Sequence, residues 1–164
     1  MGSLFNKKQL IIISFIVIAA VVRLFPHIPN VTPITAMALF SGVYFTDKRY
    51  AFLIPLLAMF LSDLVLGFSY ITLFVYASFI LVSYIGFASK KIKIITILLS
   101  SISFFVITNF GTWLIGYPKT IDGFLECYTL AIPFFRNSLI GDFFYAGMMY
   151  YAFEFISKKY LKTA

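Results

Sequence analysis

Apolar residues occur along this chain in long continuous runs and do not alternate with polar ones. Charges, prolines and glycines divide the runs into six segments, at residues 9–25, 33–46, 50–68, 71–88, 94–116 and 136–157. Helices and closed barrels are the structures that satisfy backbone polar groups in lipid, and the lack of alternation disfavours a barrel. The pattern predicts an all-α integral membrane protein, a single domain of six transmembrane helices over residues 1–164.

The composition favours the same class. Hydrophobic residues make up 62% of the chain and charged residues 12%, against roughly a quarter charged in soluble domains. Six helices of about 20 residues would use almost the whole length, which leaves no room for an extramembrane domain. Lys7 and Lys8 before the first apolar run also resemble the start of a secretory signal peptide. No small-residue cleavage site follows, so we interpret the run as the first membrane helix.

The positive charge, +7 overall, indicates topology and not a nucleic-acid partner. Ten of the 13 basic residues lie at alternate ends of the six segments, within residues 7–8, 48–49, 90–93 and 158–162. Basic residues stay preferentially on the cytoplasmic side of a membrane. We therefore expect a multi-pass protein whose amino and carboxyl termini are both cytoplasmic.

The outward connections would then be residues 26–32, 69–70 and 117–135. The first two segments reach only about 20 to 25 Å of a bilayer core of about 30 Å. The first loop is therefore expected to dip into the protein and open an outward cavity; a thin or tilted pair of helices is the alternative. Residues 122–132 are expected to form a short helix, either a lid over the cavity or an ordinary interfacial helix.

Few polar groups interrupt the spans, and ionisable groups in lipid are candidates for function. Counted from the outer helix ends, Arg23 lies about 5 Å deep, and Asp63, Asn109 and Asp142 lie about 10 Å deep. Because the inner halves are apolar, this layer fits a closed-ended pocket better than a channel. Alternatively, Arg23 pairs with one of the two aspartates only to hold the bundle together.

Two further residues complete the predicted site. Trp113 shares a helix face with Asn109 and could stack on a flat ring, or it could anchor the helix at the interface. Asn30 lies in the first outer loop. His27 has no histidine or cysteine neighbours and Cys127 is the one cysteine, so we predict no metal and no cofactor. The sequence shows no phosphate loop, no dinucleotide fingerprint and no Ser/His/Asp set, so we predict no enzymatic activity. The predicted substrate-binding residues are Arg23, Asn30, Asp63, Asn109, Trp113 and Asp142.

Several stretches resemble an uncharacterised family of small bacterial membrane proteins. They are residues 23–42 (RLFPHIPNVTPITAMALFSG), 62–67 (SDLVLG), 108–113 (TNFGTW), 117–120 (YPKT) and 131–135 (AIPFF). That family is similar to the substrate-binding S components of energy-coupling factor (ECF) transporters. The resemblance implies six helices in the bacterial cytoplasmic membrane and an outward site for a vitamin or similar micronutrient.

The resemblance also implies partners, namely a transmembrane coupling subunit and two cytoplasmic ATPases. One feature departs from it: the small-xxx-small pattern that S components often carry on their first helix is missing from residues 9–25, where Ala19 and Ala20 are adjacent. The alternative function is that of an accessory subunit in a larger membrane complex. In that case the polar layer would be structural and the protein would bind no solute.

Overall fold

The computed structural model describes residues 5–26 and 28–160 of the chain, and this part folds into six helices without a strand. Each of the six predicted segments corresponds to one helix, which confirms the all-α prediction. The helices are α1 Lys7–Val22, α2 Ile34–Tyr44, α3 Lys48–Leu66, α4 Thr72–Ser89, α5 Ile94–Gly116 and α6 Ile121–Tyr160.

The sixth helix is much longer than predicted. The expected outer loop over residues 117–135 is wrong, because only residues 117–120 separate α5 from α6. The stretch 122–132 is helical, as expected, but it continues through Pro133 without a break. Packing against α5 offsets the helix-breaking tendency of this proline: the Tyr128 hydroxyl donates to the Val106 carbonyl at 2.7 Å, and the Phe105 and Phe135 rings lie 4.6 Å apart.

Three helices, α3, α4 and α5, are long and apolar enough to cross a membrane. Large apolar side chains cover their outer faces; Val65, Leu73 and Ile94 are each about 70% exposed. Such a surface matches lipid and not water. The length and composition of these helices therefore indicate that the protein associates with a membrane.

The short second helix lies at the centre of the bundle. It has 11 residues, eight of them buried, and it packs against all five other helices. Towards the end of α2, Phe40 and Tyr44 stack with Phe153 of α6, with ring centroids 5.4 Å and 4.2 Å away. Aromatic contacts of this kind add stabilisation beyond the burial of their area.

Two glycines set the closest approach in the core, between α2 and α4. A Cβ atom on Gly42 would collide with the backbone of Ser83 and Phe87, and one on Gly86 would collide with the backbone of Leu39 and Val43. The two helices therefore touch backbone to backbone, and no side chain can yield to make room.

We expect Gly86→Ala to lower the free energy of unfolding by about 1 to 3 kcal/mol, because overpacking here must push two helix backbones apart. Thermal unfolding of the purified protein in detergent measures this loss. Gly147→Ala in α6 is the matched control, since nothing lies within 4 Å of its added methyl group. Equal unfolding midpoints for the two variants would contradict the close α2–α4 contact.

Candidate ligand-binding site

Arg23, the residue that directly follows α1, forms an ion pair in the described structure. Its Nη1 atom donates to Asp63 Oδ1 at 2.6 Å and to Ser62 Oγ at 2.5 Å. Asp63 lies in the last turn of α3 and is 3% exposed, and its second oxygen accepts from the Tyr76 hydroxyl of α4 at 2.7 Å. One buried carboxylate thus joins α1, α3 and α4, and both of its oxygens have donors.

A cavity of about 630 Å³ opens beside this ion pair. Its wall comes from the end of α1, the connection between α1 and α2, the start of α2, and one face of α6. The polar side chains in this wall are Arg23, Asn30, Thr32, Thr35, Ser138 and Asp142. Asp63 does not line the cavity, but it forms the ion pair with Arg23, which does.

Asp142 is the buried carboxylate of the cavity wall. It is 3% exposed, and its Oδ2 atom accepts from Ser101 Oγ of α5 at 2.7 Å. A second hydrogen bond comes from the Thr35 side chain at the start of α2. Among residues 5–26 and 28–160, no lysine or arginine pairs with Asp142. Its two neighbours are therefore neutral hydroxyls, whereas Asp63 has a cation.

The α1–α2 connection is held close to α6 next to this aspartate. Asn137 Nδ2 donates to the Pro29 carbonyl at 3.2 Å, and one turn later Gly141 faces Val31, where an added Cβ would come within 3.1 Å of the Val31 Cα. Asn30 has a left-handed backbone with φ of 65°, a conformation that asparagine tolerates better than most residues. A small residue at position 141 and a turn at position 30 thus bring the loop to the cavity rim.

A second cavity of about 350 Å³ adjoins the first and shares Asn30, Phe104 and Ser138 with it. Asn109 lines this smaller cavity, although its Nδ2 atom already donates to the Phe105 carbonyl at 2.8 Å. The predicted equal depth of Asn109 and Asp142 is wrong. Asp142 contacts α5 at Ser101, eight residues or about 12 Å along the helix from Asn109.

Trp113 lines neither cavity. Its Nε1 atom donates to the Pro118 carbonyl at 3.0 Å, and the Lys119 Nζ lies 5.6 Å from the centre of its ring. The Phe124 ring packs edge to face with the Trp113 ring, and the two ring centroids are 5.5 Å apart. In this structure Trp113 fastens the turn between α5 and α6, and its predicted roles in stacking on a ligand or anchoring the helix at the membrane interface stay predictions.

Sequence reasoning missed six polar contributors: Thr32, Thr35, Ser62, Tyr76, Ser101 and Ser138. Ser138 could have been found, because it precedes Asp142 by one helical turn and must share its face. Ser101 lies in the inner half of α5, a region that the prediction describes as almost purely apolar. His27 lies outside the described residues. Within the described ranges, no three His, Cys, Asp or Glu side chains gather as metal ligands.

The arrangement is suited to binding a polar small molecule. Hydrogen-bond donors and acceptors from four chain segments meet around one cavity, and apolar residues such as Leu66 and Phe104 form the rest of its wall. Sites for small ligands typically combine a few placed polar groups with such apolar lining in about 300 to 1,000 Å³.

No curated protein and no solved structure matches this chain. A family model matches residues 3–163, nearly the whole length, and its description is a family of unknown function, DUF6580. The match supports the expectation of an uncharacterised family and supplies no activity for the cavity. The chain belongs to the DUF6580 family of proteins of unknown function.

Proposed function

We propose that the protein is a substrate-binding membrane subunit, similar in role to the S component of an ECF transporter. It would take up a vitamin or a similar small micronutrient and would have no enzymatic activity. One observation carries this proposal: a cavity of about 630 Å³ at one end of the helix bundle, with Arg23, Asn30 and Asp142 in its wall.

The position of the cavity supports uptake from outside. It lies at the end of the bundle where α1 ends and α2 begins, next to the last turn of α3. The described basic residues outside the site gather mostly at the opposite helix ends, beside the start of α1, the start of α3 and the end of α6. By the positive-inside rule the basic ends face the cytoplasm, so the cavity faces outward.

We accordingly propose six membrane spans with both termini in the cytoplasm of a bacterium. The short helices α1 and α2 would cross together with the chain that joins them, since irregular backbone is tolerated at depth where protein or water surrounds it. A transmembrane coupling subunit and cytoplasmic ATPases are the proposed partners. They would supply the energy, because the sequence has no phosphate-binding loop of its own.

The accessory-subunit alternative draws on the Arg23–Asp63 pair, which is satisfied without any ligand. In that case the polar residues would only hold helices together. The accessory-subunit alternative does not explain the cavity beside the ion pair. Whether the extracted protein retains a ligand distinguishes the two functions.

The topology can be tested with single cysteines in a Cys127→Ala background. Tyr70 in the α3–α4 turn is 87% exposed, and Lys91 lies exposed in the α4–α5 connection. We expect a membrane-impermeant maleimide to label Tyr70→Cys on intact cells and to label Lys91→Cys only after permeabilisation. Labelling of Lys91→Cys on intact cells would overturn the proposed orientation.

Ligand retention is the direct test of function. We expect native mass spectrometry of the gently extracted protein to show one bound small molecule, and we expect Ser138→Phe to lose it, because the ring would fill the space that both cavities share. Ser14→Phe is the matched control. Ser14 is also a helical serine bonded to the carbonyl four residues earlier, but it lies exposed on α1.

An empty wild-type chain, found in fixed ratio with a complex that contains no ATPase, would favour the accessory subunit. Equal retention by Ser138→Phe and Ser14→Phe would place the ligand elsewhere.

A further inference from the structure

Among the residues that the structure describes, the charges around the large cavity do not balance. Arg23 and Asp63 form an ion pair at 2.6 Å and together contribute no net charge. Asp142, in the α6 part of the cavity wall, has no described cation beside it. When ionised, it gives the cavity one unmatched negative charge.

Two hydroxyl groups do not replace that missing cation. A carboxylate has about four lone-pair sites, and Ser101 and Thr35 occupy two of them. A buried ionised group is costly unless an opposite charge accompanies it, and this cost is larger near lipid. Asp142 is 97% buried yet lines an open cavity, so a positive group can reach it only from within that cavity.

Arg23 still has donors to offer on the same wall. Its Nη1 atom makes both of its hydrogen bonds, to Ser62 and Asp63. Within the described part of the chain, Nε and Nη2 have no partner. A guanidinium carries five N–H donors in all, so an acceptor oxygen on a bound molecule could be held here without breaking the ion pair.

We propose that the ligand carries a protonated nitrogen, as an ammonium or amidinium group, that pairs with Asp142, and that an acceptor oxygen of the same molecule binds the remaining N–H groups of Arg23. The substrate class is therefore a small organic cation or zwitterion. This inference rests on the proposed uptake function and deepens it.

The charge of the cavity can be measured before the ligand is known. In a Cys127→Ala background, Ser138→Cys places a thiol in the wall, one turn from Asp142. Two thiol reagents of similar size serve as probes, the cationic 2-(trimethylammonium)ethyl methanethiosulfonate and the anionic 2-sulfonatoethyl methanethiosulfonate. In each reaction the thiolate attacks the reagent's sulfenyl sulfur, forms a mixed disulfide and releases methanesulfinate.

The readout is the rate of modification by the cationic reagent divided by the rate for the anionic reagent. This ratio is then divided by the same ratio measured for 2-mercaptoethanol in solution. Any change in the thiol's own reactivity affects both reagents and cancels. We expect the cation to be favoured, and we expect Asp142→Asn to reduce this preference by about 10-fold or more, because one unit charge is removed from a site with few screening ions. Asp142→Glu keeps the charge and should keep the preference.

Asp122→Asn is the matched control for the loss of one negative charge. Asp122 is exposed in the first turn of α6, about 24 Å along the helix from position 138, well beyond a Debye length of about 8 to 10 Å. The rate ratio should not change in this variant.

The outcomes separate this inference from the function on which it rests. If neither reagent modifies Ser138→Cys on intact cells, the result would contradict the outward-facing uptake site itself. Modification without a preference for the cation, in the protein that retains Asp142, would overturn the cation assignment alone. That second result needs no Asp142 variant, so it stands even if Asp142→Asn fails to fold.

Discussion

The enclosure of a short helix at the centre of the bundle constrains everything around it. α2 rises only about 16 Å, yet it packs against all five other helices. The connection leading into it is exposed at residues 24–26 and 28–30 and becomes partly buried only at residues 31 and 32. Two hydrogen bonds hold it in place: the Val31 N–H donates to the Ile28 carbonyl at 2.9 Å, and Asn137 Nδ2 donates to the Pro29 carbonyl. The large cavity lies beside the start of α2, with Ile34 and Thr35 in its wall.

The two buried aspartates show how one residue type can have two roles. Asp63 has an arginine, a serine neighbour and a tyrosine hydroxyl around it, and its interactions tie three helices together without any ligand. Asp142 has two hydroxyls and faces a cavity. A buried charge with a partner contributes to structure, whereas one without a partner is stable only if it is neutralised or completed from outside. This contrast makes Asp142, and not the ion pair, the more informative residue for function.

The helices could be predicted because charges, prolines and glycines interrupt the apolar runs close to the true ends; α5 was expected at residues 94–116 and is found there. Pro133 misled the prediction of the sixth helix, since its effect depends on contacts with α5 that no local pattern reveals. The depth count failed for a related reason. Between the contacts Cys127 to Asn109 and Asp142 to Ser101, α6 advances fifteen residues while α5 covers eight, so equal residue counts along the two helices do not mark equal levels. Counting from helix ends assumes that they do, and it therefore put Asn109 and Asp142 at one level.

The length of α6 has a mechanical consequence. From Ser138 to Tyr160 the helix runs without a proline or an irregular turn, so the cavity wall and the basic end of the bundle belong to one stiff rod about 33 Å long. A partner protein that bound Lys158 and Lys159 and tilted this part of α6 would move Ser138 and Asp142, which lie at the other end of the same stretch of helix. Widening or narrowing of the cavity could then be driven from the opposite side of the bundle, with no signal passing through the core.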